Sequence, residues 1–255
     1  MKVRRYLLTM AIALLLWQAA ALAAGPQVLP APWPVIKSLV HELAMEEFRL
    51  HSLTSAGRAM AGLFLGFLTA FPLGLLLGAS PKVDAWISPF IFLTYPVPKI
   101  LFLPVLLVLL GLGEWPKIIL IALTCGYQIL VVTRDSVRNL DPSYFTSFST
   151  LLNPSLSYHA RAWLSARHLL IPASLPSAIS ALRLATGTAV AVLFIAESFA
   201  TDLGLGYMIM DAWGNLDLPR MFSGIIAMSV IGFIFYELTN LLEFLLCRWN
   251  GPRQN

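Results

Sequence analysis

Residues Ala59–Ala79 read AMAGLFLGFLTAFPLGLLLGA, twenty-one positions without a charge. A helix needs about 20 mostly apolar residues to cross the hydrocarbon layer of a bilayer, so this stretch reads as a transmembrane helix. Gly62 and Gly66, and again Gly74 and Gly78, stand at small-xxx-small spacing, which lets another helix approach closely. The composition of the whole chain extends the point. Of its 255 residues 58% are hydrophobic and 12% charged, with a mean hydropathy of +0.77. Soluble domains carry about 25% charged and about 45–50% apolar residues. A single core cannot absorb that excess, whereas lipid can. The chain is therefore read as an all-α membrane protein.

Upstream, a basic start (Met1–Arg5) leads into the apolar run Tyr6–Ala24. That run fits an uncleaved first span, and its Ala21-Leu22-Ala23-Ala24 ending also fits a cleaved secretory signal. Both readings place the next segment outside the cytoplasm. Gly25–Gly57 is punctuated by Pro26, Pro30, Pro32 and Pro34, so one long helix is excluded. A shorter surface helix is expected from about Pro34 to Leu50. Downstream, Ser80–Asp84 is a polar turn. Trp86–Leu112 is apolar but broken by Pro89, Pro96, Pro98 and Pro104. Prolines at membrane depth are tolerated where neighbours or water satisfy the freed backbone groups, which predicts a kinked third span lining a cavity. Pro116–Thr133 and Ser177–Ala200 are the fourth and fifth spans. A polar stretch, residues 134–176, separates them, and a Gly- and Asp-containing loop, residues 201–220, precedes the sixth span, Met221–Leu246.

Charge sets the orientation. With the amino terminus inside, the inner segments hold eleven basic residues: Lys2, Arg4, Arg5, Lys82, Arg134, Arg138, Arg161, Arg167, Arg183, Arg248 and Arg253. The outer segments hold five: Lys37, Arg49, Arg58, Lys117 and Arg220. The positive-inside rule then favours six spans with both termini cytoplasmic. The net charge of +4 fits basic inner loops rather than nucleic-acid binding. Cys125 and Cys247 lie in or beside apolar runs and read as packing residues. No Gly-rich nucleotide loop, zincin motif or spaced Ser/His/Asp set is present. The four histidines, His41, His51, His159 and His168, offer no metal-ligand spacing. The chain reads as a conduit without a cofactor, not a catalyst.

The polar stretch carries the functional signal. Ala160–Leu170 reads as a helix with Trp163, Leu164 and Leu170 apolar and Arg161, Arg167 and His168 polar. Two readings stand: an amphipathic helix on the bilayer surface, or a docking element for a cytoplasmic partner. The run Arg167-His168-Leu169-Leu170-Ile171-Pro172-Ala173-Ser174-Leu175-Pro176 resembles the end of the cytoplasmic loop named for its Glu-Ala-Ala triplet in permeases of ABC importers. Further resemblance follows in order at Ala181–Ala185, Ala196-Glu197 and Gly204-Leu205-Gly206-Tyr207. Earlier in the chain it includes Trp17, Leu29–Pro32, Gly74–Gly78, Tyr95-Pro96-Val97-Pro98-Lys99, Leu103-Pro104 and Gly111–Glu114. The order and spacing are similar to the nitrate/sulfonate/taurine/bicarbonate branch of that family. One part departs. Counted back from Pro172, the family's Gly position holds His159 and the triplet falls on Asn153-Pro154-Ser155. Counted forward from Asp141-Pro142, it falls near Thr146-Ser147-Phe148. The loop thus reads as carrying an insertion of about two helical turns.

The resemblance implies a six-helix bundle of the type I importer kind, a single permease domain over 1–255, and a coupling loop at about 134–176. It also implies a second copy of the chain, two cytoplasmic ATPase subunits, a periplasmic substrate-binding protein and residence in a bacterial inner membrane. Coupling would fall on Tyr158, His159, Arg161, Trp163, Leu164, Arg167, His168 and Pro172. The translocation path would include Pro96, Pro98, Lys99 and Glu197, with a small anionic solute near Lys99. For Lys99 and Glu197 a structural pairing is the competing reading, since a charge within lipid usually faces the interior or a partner. The rival class is a secondary transporter or channel. Many transporters show inverted repeats, and no self-similarity between the two halves supports that reading.

Overall fold

The charge-free stretch Ala59–Ala79 is the distal part of a 34-residue helix. The computed structural model of the chain describes residues 2–152, 155–199 and 201–250. Its helices are α1 (Lys2–Ala24), α2 (Pro32–Ala44), α3 (Glu46–Ala79), α4 (Pro81–Thr94), α5 (Leu103–Leu110), α6 (Trp115–Arg138), α7 (Pro142–Leu151), α8 (Tyr158–Ser165), α9 (Ile171–Glu197), α10 (Leu205–Gly214) and α11 (Leu218–Leu246). No strand occurs among the described residues. Among the described residues four continuous helical stretches are long and apolar enough to cross a membrane: Glu46–Ala79, Trp115–Arg138, Tyr158–Glu197 and Leu218–Leu246. A fifth becomes possible if α4 and the Lys99–Leu110 segment, bent by 88°, form one broken span. The apolar part of α1, Leu8–Ala24, is shorter. The chain is a multi-pass membrane protein.

Several boundaries differ from those read off the sequence, each for a local reason. The single surface helix expected from about Pro34 to Leu50 is two helices. Met45 turns extended (φ −77°, ψ 136°) and its N–H bonds the Glu42 carbonyl, after which Glu46 and Glu47 open α3 with the acidic first turn a helix N-terminus favours. The fourth span runs on past Thr133 to Arg138 because Arg134 and Arg138 are neutralised there, as shown below. Pro172 lies inside a helix rather than at a helix start. A π turn, Ala166–Leu170, precedes it, and the Ile171 N–H reaches back to the Ala166 carbonyl. Such a widened turn re-registers the ladder, so a proline without an N–H is absorbed and the helix runs from Tyr158 to Glu197. Asn153 and Pro154, part of one proposed triplet, and Ala200, the expected end of the fifth span, lie outside the described residues.

The chain separates into two compact units, Met1–Gly57 with Phe194–Ile231, and Arg58–Leu193 with Gly232–Asn255. In the first, Val35, Phe48, Leu205, Met208 and Ala212 form a buried core. The Trp17 indole N–H donates to the Pro30 carbonyl at 3.1 Å, and its ring stacks on Phe222. In the second, Ala70, Ile129 and Ala181 are buried together, with Phe67, Leu130 and Leu182 packed against them. Here α3 and α6 meet through the glycine positions. A Cβ at Gly62 would stand 2.6 Å from Ile121, and one at Gly78 2.6 Å from Val137. The spacing read from the sequence is thus the contact itself.

Candidate functional site

Three buried charge clusters, each within one unit, hold the polar chemistry of the spans. The first sits where the third apolar run breaks. Pro98 lacks the N–H that would bond the Thr94 carbonyl in a continuing helix. Lys99 replaces it with its side chain: Nζ donates to the carbonyls of Thr94 at 2.7 Å and Tyr95 at 2.8 Å. A cation at a helix C-terminus is favoured by the partial negative charge there. The ammonium also lies 4.1 Å from the centre of the Tyr127 ring, within cation–π range. Lys99 is 9% exposed, and no carboxylate lies within ion-pair distance of it among the described residues. The Thr94 and Tyr127 hydroxyls share a hydrogen bond beside it. Pro96 and Pro98 themselves are exposed. Next to Lys99 lies a cavity of about 290 Å³ between α4, α5 and α6, walled by Phe90, Phe102, Leu106, Leu123 and Tyr127.

The second cluster surrounds Glu197, which is fully buried. Its carboxylate accepts the Ser55 hydroxyl at 2.7 Å and the Gly206 N–H at 2.9 Å. Ser55 Oγ in turn accepts the Leu205 N–H at 2.7 Å, and His51 Nδ1 accepts the Gly204 N–H at 2.9 Å. The first amides of α10, which have no partner within the helix, are thus satisfied by side chains of α3 and α9. Gly204 stands at φ +123°, and a side chain there would collide with the Glu197 carboxylate. His51 stacks on Tyr207 and faces Glu47 at 3.5 Å. The motif pieces Ala196-Glu197 and Gly204–Tyr207 are therefore one constellation, in which Glu197 holds a turn together.

The third cluster ties α4 to α6. Arg134 binds Asp84 through two nitrogens at 2.5 and 2.7 Å, and Arg138 pairs with the same carboxylate. Asp84 and Arg134 are both buried. A neighbouring clamp joins Arg58 to Glu114 at 2.5 and 2.6 Å, and the Arg58 guanidinium holds the Glu114 carboxyl below the usual carboxylate range. Motif reading does not single out His51, Ser55, Asp84 or Tyr127. A signal existed for the first two, since His51 and Ser55 are four apart and share one face of α3.

The polar stretch forms α7, α8 and the π turn. The Asp141 carboxylate accepts the Ser143 N–H at 2.8 Å and starts α7, and that bond lowers its pKa. No residue of α7 or α8 is buried. Tyr158 is 81% and Trp163 57% exposed, whereas Leu164 is half-buried. Arg167 stacks over Trp163, His159 meets the Tyr158 ring edge-on, and Arg161 donates to the Leu156 carbonyl. His168 is exposed and Pro172 half-buried. The coupling candidates are thus gathered on one continuous helical stretch, Tyr158 to the start of α9.

Comparison with known proteins gives a consistent result. The family described as "binding-protein-dependent transport system inner membrane component" matches residues 62–246. The SsuC permease protein of Bacillus subtilis (strain 168), named for aliphatic sulfonates transport, is 28% identical over 96% of this chain and 87% of its own length. The taurine transport system permease protein TauC of Escherichia coli (strain K12) is 28% identical over 96% of this chain and 90% of its own. The formylaminopyrimidine transport permease protein ThiX of Halalkalibacterium halodurans is 24% identical over 92% of both. Among solved structures, a chain of the inward-facing MetNI methionine ABC transporter superposes with a TM-score of 0.55 at 16% identity, covering 75% of this chain and 94% of that one. At that identity the likeness speaks to the fold.

Proposed function

The chain belongs to the family of binding-protein-dependent transport inner membrane components, and from that premise we propose how its parts divide the work of import. It is the membrane-spanning permease subunit of an ATP-driven importer and not an enzyme; in this family the ATPase is a separate subunit. The observation that carries this is the family match, which reaches from α3 to the end of α11.

The finer reading is our own. Six spans, counting α1 and the bent α4–α5 segment, place both termini in the cytoplasm of a bacterial inner membrane, and both compact units serve one permease domain. Two copies pair to enclose the path, two ATPases bind below, and a periplasmic binding protein delivers the solute. The α7–α8 segment docks on the ATPase through Tyr158, Trp163 and Leu164, with His159, Arg161, Arg167 and His168 around them and Pro172 where the span begins. The exposure of Tyr158 and Trp163 supports this, because exposed aromatic residues are the usual anchors of such contacts. Lys99, with Pro96 and Pro98 at the break, faces a small anionic solute, and the lack of a carboxylate beside its ammonium supports that assignment. Glu197 holds the α9–α10 turn. Two packings of rigid helices, biased by ATP at a distance, suffice for transport without chemistry in this chain.

Reconstitution in proteoliposomes with a partner ATPase and a periplasmic binding protein tests the reading. Uptake is expected only with all three components and ATP. Uptake that persists without the ATPase would instead make the chain a secondary carrier. Cysteines at Ser143 and Ser165 are expected to label from the cytoplasmic side, and labelling from the periplasmic side alone overturns the orientation.

A further inference from the structure

A groove of about 440 Å³ lies between α3, α9 and α11, all of it within the unit of Arg58–Leu193 and Gly232–Asn255. On α11 its wall is Phe235, Leu238, Leu242 and Leu245, at i, i+3, i+7 and i+10 on one helix face. Phe64 and Phe67 of α3 and Ile179 and Leu182 of α9 supply the other walls. Thr239 also lines the groove, but its hydroxyl donates to the Tyr236 carbonyl at 2.7 Å, so the walls present hydrocarbon. Phe64 is 65% and Leu245 55% exposed, so the groove is open from the side. The three helices belong to stretches long and apolar enough to cross a membrane. What fills the groove is therefore hydrocarbon.

Length and the two ends select the occupant. From Phe235 to Leu246 the groove follows α11 for about 16 Å at the rise of a helix. One leaflet supplies about 15 Å of hydrocarbon, half the thickness of the apolar layer. Beyond Phe235 the helices close up: a Cβ at Gly232 would stand 3.0 Å from Val190 of α9. At the other end α11 stops at Leu246, and Arg248 and Trp249 follow, both exposed. They stand three and four positions after Leu245, in register with the groove-lining face, and the Cys247 N–H still bonds the Glu243 carbonyl. Tryptophan is favoured at the membrane–water interface. Arg183, which also meets the last turns of α11, is held by Glu243 at 2.9 Å and Asn240 at 2.6 Å. Arg248 has no ion pair among the described residues. A transmembrane helix of a second copy crosses both leaflets and needs a groove open along its whole length. A blind groove one leaflet deep, ending at a free guanidinium, fits a lipid tail and its phosphate instead. We propose that it is a lipid site: one acyl chain of an anionic phospholipid lies between α3, α9 and α11, and its phosphate meets Arg248 in a charge-assisted hydrogen bond. A zwitterionic headgroup carries its own ammonium, which competes with Arg248 for the phosphate, so the anionic lipid is preferred. The site does not depend on the direction in which the chain is inserted or on the solute it carries.

The test takes the full chain in mild detergent, exposes it to an equal mixture of phosphatidylglycerol and phosphatidylethanolamine, and reads retained lipid by native mass spectrometry. One phospholipid per chain is expected, with phosphatidylglycerol favoured about five-fold, the preference that one arginine near a membrane surface confers. That comparison needs no variant. Arg248→Gln is expected to keep a lipid and to equalise the two headgroups. Leu238→Trp, which fills the groove and leaves Arg248, is expected to lose the retained lipid. On the wild type, phosphatidylglycerol with a photoreactive diazirine in mid-chain is expected to label Phe64 and the Ile179–Leu182 turn, which locates the chain even if Leu238→Trp does not fold. No retained lipid, equal retention of the two headgroups, labelling confined to other helices, or full retention by a folded Leu238→Trp protein overturns the site. A disulfide between two copies carrying Leu242→Cys overturns it too, by making the groove a contact between copies. ATP-driven uptake by wild-type protein that retains no lipid removes the site and leaves the permease reading intact.

Discussion

Lys99 and Glu197 are both buried charges in an apolar chain, and their surroundings differ in kind. The Glu197 carboxylate collects a serine hydroxyl and a backbone amide, while its neighbours Ser55 and His51 collect two further amides of the same turn. Every partner comes from the protein, so the charge acts as a fastener. Lys99 collects two carbonyls and an aromatic face, which fix its position without cancelling its charge, and a cavity opens beside it. The partners named for both charges are neutral dipoles; those of Glu197 join α3, α9 and α10, whereas those of Lys99 are two carbonyls of one broken helix end.

The comparison can be broken by measuring what each cluster contributes to folding. The Asp84 clamp is the extreme of internal cancellation, one buried carboxylate against Arg134 and Arg138. Removing one member of a buried pair leaves an uncompensated charge, at a cost of about 3–5 kcal/mol. Asp84→Asn is therefore expected to give the largest loss of thermal stability in detergent, and a wild-type unfolding temperature would show that the clamp is not closed in the protein.

Glu197→Gln comes next. The amide keeps the shape and one acceptor but loses the charge, so a loss of about 1–3 kcal/mol is expected, with Ser55→Ala on the same scale. Lys99→Met should cost less than Glu197→Gln, because Lys99 bonds two carbonyls of a single helix end whereas Glu197 and its neighbours tie α3, α9 and α10 together. If Lys99→Met unfolds the chain more readily than Glu197→Gln, the contrast drawn above is reversed.

Trp163 marks the other limit, a large side chain with little to lose inside this chain. Trp163→Ala is expected to leave insertion and thermal stability unchanged but to weaken ATPase association by about 2 kcal/mol, roughly thirty-fold in Kd, and to uncouple hydrolysis from uptake. Scanning 153–170 by co-purification sharpens this, since Tyr158 or Leu164 could share the anchor. No effect on association at any position would place the segment at the membrane surface instead.

The sequence by itself determined the features that lipid and the local backbone impose. Apolar length placed the four long apolar helices, because an uncharged run such as Ala59–Ala79 has few other stable settings. The glycine spacing in that run foretold the close contact of α3 with α6, and Pro96 and Pro98 foretold the break in the third span, because both act through neighbouring residues of one chain. The absorption of Pro172 into a continuous helix was not legible, because a π turn has no composition of its own. Nor were the partners of the buried charges. Ser55 meets Glu197 across 142 positions and Arg134 meets Asp84 across 50, and pairings at such separations leave no period or motif in the chain. Only the tertiary structure decided that Glu197 joins three helices while Lys99 answers one broken helix end, because such bonds depend on which groups the fold brings within hydrogen-bond reach.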